Sequence, residues 1–284
     1  MLKLQGTGVA LITPFHEDGS IDFEGLKKVI DHVVAGGTDY LVVMGTTGES
    51  ATLSKAEKLE VLKAALSYNA GRIPVVYGIG GNNTQAILDE ISQTDFTGID
   101  AILSVSPYYN KPTQAGIIAH YKAVADACPV PVILYNVPGR TMSNMSWQTT
   151  LELAKHPNII GIKEASGDLN QCMKIAAGKP KDFLLISGDD ILTPAIRLMG
   201  GDGVISVLAN TYPEVFRTIG KGTLEASQAA VNSLLDINPL MYEEANPVGV
   251  KALASLLGIC GDQVRLPLLK VSDNLKARIK AAML

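Results

Sequence analysis

The chain has 284 residues, with 24 basic against 28 acidic side chains and a formal net charge of −4, so it offers no basic surface of the kind that binds nucleic acid. Hydrophobic residues make up 47% and charged residues 18%, which excludes a disordered chain and lets a chain of this length build its core without disulfides or a structural metal. Aromatics reach just 5%, most of them tyrosine, so Ala, Val, Ile and Leu must fill the interior.

In chain order, the apolar run Gly8–Phe15 comes first. It contains Thr13 and Pro14 and lacks a small-residue cleavage site, so it reads as a strand, Val9–Thr13, rather than a secretory leader. A helix Phe23–Val34 follows with Asp22 as its cap, then a strand Tyr40–Val43, a helix Lys55–Tyr68 capped by Ser54, and a strand Val75–Gly78. The next elements are a helix Thr84–Phe96, a strand Ala101–Ser104, a helix Gln114–Ala127 capped by Thr113, and a strand Val132–Tyr135. Strands Ile160–Lys163, Leu184–Ser187 and Gly203–Val207 bring the number to eight. No stretch approaches the ~20 apolar residues of a membrane span.

Eight strands alternating with helices are the arithmetic of a (β/α)8 TIM barrel, whose strands are buried on both faces and favour branched aliphatics. An open doubly wound sheet is the alternative, but regular alternation without a domain break favours closure. Residues 1–224 are thus expected to form the barrel and 225–284 a C-terminal helical appendage, with helices Glu225–Leu235, Pro247–Leu257 and Ser272–Ala282. Cys128, Cys172 and Cys260 stand far apart, and His16, His32, His120 and His156 are scattered as surface residues would be. Neither set has metal-ligand spacing, so no metal is expected, and the cysteine usage suits a reducing cytoplasm.

A barrel carries its active site at the C-terminal ends of its strands. After the second strand comes Gly45-Thr46-Thr47-Gly48-Glu49-Ser50, where two glycines permit tight turns and hydroxyls and N–H groups can face a small anion. The same residues would also serve as an ordinary turn into the next helix. Ser106-Pro107-Tyr108-Tyr109-Asn110-Lys111-Pro112 follows the fourth strand and holds a tyrosine pair between prolines. The fifth strand ends in Tyr135-Asn136-Val137-Pro138-Gly139-Arg140-Thr141, whose arginine can grip a carboxylate with two parallel hydrogen bonds.

The sixth strand ends in Gly161-Ile162-Lys163-Glu164, a lysine closing an apolar run. Such a lysine either reaches out of the barrel mouth, pairs with Glu164, or acts as a nucleophile. In the last case its surroundings must favour the neutral amine, the form that attacks carbonyls. A nucleophilic amine, tyrosine hydroxyls, an anion-binding loop and a guanidinium together point to a lysine-dependent aldol-type enzyme acting on a small keto acid.

These motifs, together with Ser187-Gly188-Asp189-Asp190, resemble the dihydrodipicolinate synthase family, in order and over nearly the whole chain. The resemblance implies condensation of pyruvate with L-aspartate 4-semialdehyde, the first committed step of the diaminopimelate route to lysine. It implies that Lys163 forms the imine with pyruvate and that no external cofactor is needed. Tyr135, Thr46 and Tyr109 would form a proton relay, with Tyr109 reaching in from a neighbouring subunit. Thr47 would hold the pyruvate carboxylate, Arg140 that of the semialdehyde, and Gly188 and Ile205 would line the pocket. A homotetramer built as two tight dimers is likewise implied. N-acetylneuraminate lyase and keto-deoxy sugar acid aldolases are the nearest rivals, and they generally lack an arginine where this chain has Arg140.

The resemblance also implies an interface pocket in which many family members bind inhibitory lysine. Ser50, Ala51, Asn82 and Tyr108 match it. Lys58 replaces a histidine, Ala86 replaces a glutamate, and Lys55 adds positive charge nearby, so feedback inhibition is expected to be weak or absent.

Overall fold

The computed structural model describes residues 4–284. Eight strands form the expected barrel: β1 (Gly6–Ala10), β2 (Tyr40–Val43), β3 (Val75–Gly78), β4 (Ala101–Val105), β5 (Val132–Asn136), β6 (Ile159–Glu164), β7 (Leu184–Ser187) and β8 (Gly203–Ser206). Each pairs in parallel with the next, and β8 pairs with β1 to close the ring. Around them lie α1 (Phe23–Ala35), α2 (Lys55–Asn69), α3 (Thr84–Gln93), α4 (Gln114–Ala127), α5 (Pro138–Thr141), α6 (Trp147–Leu153), α7 (Leu169–Gly178), α8 (Thr193–Leu198) and α9 (Pro213–Lys221). The C-terminal helices are α10 (Leu224–Asn232), α11 (Val248–Leu256) and α12 (Asp273–Ala281). Among the described residues, no helix is long and apolar enough to cross a membrane.

The expected caps hold α1, α2 and α4. Asp22 accepts from the Gly25 N–H, Thr113 from the Gly116 N–H, and Ser54 forms a reciprocal capping box with Glu57.

Period-two alternation divides the strand side chains between two cores. Ala10, Tyr40, Val42, Val76, Leu103, Ile133, Ile186 and Ile205 pack inside the barrel. Their neighbours Val9, Leu41, Val75, Ile102, Leu134, Leu185 and Val204 pack outward against the helices. The scarcity of aromatics suits this interior, with Tyr40 as a buried exception. A Cβ on Gly8 would lie 2.2 Å from the Tyr40 ring, so only glycine on β1 leaves that ring its place.

Three expectations are corrected. β1 runs Gly6–Ala10 rather than Val9–Thr13, because past Ala10 a side chain replaces the ladder. Asn210 Oδ1 accepts from the Ile12 N–H, its Nδ2 donates to the Ala10 carbonyl, and the Thr13 hydroxyl donates to the Gly48 carbonyl. Helix α3 ends at Gln93, where the Thr94 hydroxyl bonds the Glu90 carbonyl and stops the helix short of Phe96. His120 is buried, 5% exposed, with Nδ1 2.9 Å from the Thr84 hydroxyl and its ring edge-on to Tyr121.

Candidate active site

The barrel register sets the centre of the site. Tyr135 on β5 pairs with Lys163 on β6, and both side chains point into the barrel. Lys163 Nζ lies 4.4 Å from the centre of the Tyr135 ring. Among the described residues, no carboxylate oxygen comes within ion-pair distance of that nitrogen. Asn136 and Glu164, next in the register, point outward. The Glu164 carboxylate accepts from Asn136 Nδ2 at 3.0 and 3.1 Å, from Gln171 Nε2 at 2.9 Å and from the Ser166 N–H at 2.7 Å. Alternation therefore rules out a Lys163–Glu164 pair, and burial raises the Glu164 carboxyl above its usual range against the pull of those donors.

A cavity of about 280 Å³ opens over Lys163 at the C-terminal mouth of the barrel. Thr46, Thr47, Tyr135, Arg140, Lys163 and Gly188 all line it. Arg140 stands exposed at the rim on the short helix α5. Gly188 is needed there, since a Cβ would come within 2.5 Å of the Ala165 Cβ.

Two expected residues lie elsewhere. Ile205 is 1% exposed inside the barrel and does not reach the cavity, whereas Val207 past the end of β8 does. Tyr109 is 86% exposed, with a left-handed backbone (φ +72°), and lies outside the cavity in a single chain.

The loop after β2 departs from its expected geometry. Gly45 is extended (φ −71°, ψ −176°), and the left-handed residues flanking the turn are Met44 and Glu49. A Cβ on Gly48 would sit 3.1 Å from the Leu11 carbonyl, so its role is close approach to the neighbouring chain.

The segment between α10 and α11 supplies lining residues that sequence reasoning missed: Asn238, Tyr242 and Asn246. Asn246 Nδ2 donates to the Thr47 hydroxyl oxygen at 3.0 Å, which leaves the Thr47 proton free to point into the cavity. The Asn-Pro step before α11 was the available signal, but nothing local marked it as facing the barrel mouth. Asp189 also lines the cavity, and beneath it Asp190 is buried and accepts from the Leu208 N–H at 3.1 Å. Burial pushes the Asp190 carboxyl up to about 6, opposed by its hydrogen bonds to Leu208 and Ser206.

A second cavity, of about 300 Å³, lies beside the first and shares Thr46 and Arg140 with it. Of the residues assigned to an interface pocket, Ser50, Ala51, Lys58 and Tyr108 line it, while Lys55, Asn82 and Ala86 do not. The Asn82 carbonyl instead accepts from Asn110 Nδ2. Glu90, one helical turn beyond Ala86 on α3, lines an adjoining recess with Ser50 and Lys58.

The sequence model of the Dihydrodipicolinate synthetase family matches residues 3–283. The chain is 52% identical to the 4-hydroxy-tetrahydrodipicolinate synthase of Cytophaga hutchinsonii, over 99% of this chain and 96% of that one. Among solved structures it resembles the chloride-inhibited dihydrodipicolinate synthase of Acinetobacter baumannii complexed with pyruvate, with 36% identity, a TM-score of 0.95, and 98% of this chain and 97% of that one covered. The enzyme of Cyanidioschyzon merolae with lysine bound matches with 36% identity and a TM-score of 0.95, over 100% of this chain and 98% of that one.

Proposed function

The chain belongs to the dihydrodipicolinate synthetase family, a family of class I aldolase-type lyases in lysine biosynthesis through diaminopimelate, and from this premise we propose the following reaction at the cavity over Lys163. Pyruvate enters with its carboxylate toward the Thr47 hydroxyl and the backbone beside it. The neutral Lys163 amine attacks the pyruvate C2 carbon, and loss of water leaves an imine. The cationic imine draws electrons from the methyl group, which gives up a proton to form an enamine. Tyr135 and Thr46, both at the cavity wall, carry protons between these steps.

The enamine then attacks the aldehyde carbon of L-aspartate 4-semialdehyde, whose carboxylate is held by Arg140 at the rim. The amino group of this second substrate displaces Lys163, closes the ring and frees the enzyme. The lysine supplies the electron sink, so the carbon chemistry asks for no added cofactor. Tyr109 joins the relay from a second copy of the chain, which accounts for its exposure in one chain alone, and a tetramer of two such dimers is the proposed assembly.

The carrying observation is the paired placement of Tyr135 and Lys163 beneath a cavity whose rim bears Arg140. That arginine favours a carboxylate-bearing aldehyde over the polyhydroxyl substrates of the sugar-acid aldolases. A coupled assay with pyruvate and L-aspartate 4-semialdehyde, run beside an N-acetylneuraminate cleavage assay, tests the choice. Turnover is expected in the first alone, and cleavage in the second would reverse the assignment.

A further inference from the structure

The loop that carries Thr46 and Thr47 is two 3-10 turns, Thr46–Gly48 and Ser50–Thr52, meeting at Glu49. Glu49 is left-handed (φ +54°, ψ 33°), a conformation that a side chain bearing a Cβ adopts only when its surroundings hold it. Its carboxylate turns away from the cavity into the protein, with the side chain 1% exposed. Oε1 accepts from Lys251 Nζ at 2.5 Å and Oε2 from the Arg265 N–H at 3.0 Å.

Lys251, on α11, is completely enclosed. Its ammonium also donates to the Gln263 carbonyl at 2.7 Å and lies 4.2 Å from the centre of the Phe15 ring. Arg265 covers the same ring at 4.6 Å. Its guanidinium holds both Glu57 oxygens and the Thr52 carbonyl, which fastens the far end of the loop to the same C-terminal segment.

A buried ion pair is a poor device for stability, because desolvating both charges offsets most of their attraction. It does fix direction. Here it fixes a left-handed residue whose backbone rotation would shift Thr46 and Thr47, three and two positions upstream. Asn246, five residues before Lys251, binds the Thr47 hydroxyl from the same approach.

We propose that Glu49 and Lys251 are a positioning pair for the pyruvate half of the reaction, holding the loop after β2 so that Thr46 and Thr47 meet the keto acid in register with Lys163. The pair acts through those hydroxyls, so this inference rests on the roles given to them under the proposed function. Arg140 belongs to α5 and is not among the hydrogen-bond or ion-pair partners of Glu49 and Lys251, so the semialdehyde side is spared.

The test compares the unmodified chain with Lys251→Met, Glu49→Asp and the paired variant Glu49→Gln/Lys251→Met, following thermal midpoint, KM for each substrate, and the rate of borohydride-trapped pyruvate adduct. Lys251→Met alone strands a buried carboxylate and is expected to unfold readily. The paired variant removes both charges and is expected to fold, with pyruvate KM raised or adduct formation slowed on the order of tenfold or more, and semialdehyde KM within about twofold. Glu49→Asp keeps the charge, shortens its reach and is expected to give the same split, smaller.

Unchanged pyruvate kinetics in a folded paired variant, or in Glu49→Asp, would overturn the proposal. So would an equal loss toward both substrates, which is what general loosening produces. Absence of any pyruvate adduct in the unmodified chain would instead remove the role of Lys163 itself, and this inference with it.

Discussion

Lys163 Nζ sits 4.4 Å from the centre of the Tyr135 ring, and the two residues are direct partners in the β5–β6 register. The barrel's hydrogen-bond ladder therefore sets the distance between nucleophile and phenol, without help from a flexible loop. Tyr135→Phe keeps the ring packing and removes the hydroxyl. It is expected to fold normally and lose activity by about 10²- to 10⁴-fold, the usual range for a positioned proton-transfer group. Steady-state rates beside a thermal melt check this, and near-normal turnover would take Tyr135 out of the relay.

Arg140 stands on α5 at the cavity rim. Arg140→Ala should raise KM for the semialdehyde by about ten- to a hundredfold, the scale of a lost hydrogen bond to a charged group, and leave pyruvate much less affected. Equal effects on both substrates would mean that Arg140 holds neither carboxylate in particular.

Tyr109 can complete a site only from another chain if its place in the relay is right. Subunits of Lys163→Ala and Tyr109→Phe, each inactive or severely impaired alone, should recover activity on mixing and reassembly. The Tyr109→Phe subunit keeps Lys163 and receives an intact Tyr109 from its partner. No recovery in verified mixed oligomers would place Tyr109 outside the reaction.

Two buried groups give opposite pH signatures. Burial raises the Asp190 carboxyl from 3.8 to about 6, so its contribution to stability is complete below 3.8 and lost as pH rises through 6. Burial lowers His120 from 6.5 to about 4, so its contribution is complete above 6.5 and lost as pH falls through 4. Asp190→Asn should therefore stabilise the protein at pH 8 by up to roughly 3 kcal/mol and change little at pH 4. His120→Gln should reduce acid sensitivity between pH 6.5 and 4. Denaturant melts across this range read both, and a pH-independent effect of Asp190→Asn would contradict the first.

Lysine is expected to inhibit weakly. Lys58 places a positive charge in the second cavity, and Ala86 offers no carboxylate, although Glu90 lies in the adjoining recess. Ala86→Glu should strengthen inhibition. A dose curve on the unmodified chain that shows strong inhibition at micromolar lysine would refute the expectation.

The sequence showed the repeating elements clearly, since aliphatic strands and capped amphipathic helices are local patterns. The limits of β2, β3, β7 and α4 were legible to the residue. β1 was not, because its end depends on Asn210, two hundred positions away. Thr46, Thr47, Tyr135 and Lys163, at or just past strand ends, were legible for the same local reason, whereas Val207 was not. Asn238, Tyr242 and Asn246 were not, because nothing in the segment between α10 and α11 says that it leans over the barrel mouth. Ile205 was assigned to the cavity by resemblance, while strand alternation buries it one layer below.

The most direct test of the account is covalent. Borohydride added with pyruvate should inactivate the protein and leave a reduced adduct on Lys163, mapped by peptide mass spectrometry. Borohydride alone should do neither. Failure to form an adduct, or an adduct on any other lysine, would contradict the assignment of Lys163 as the nucleophile.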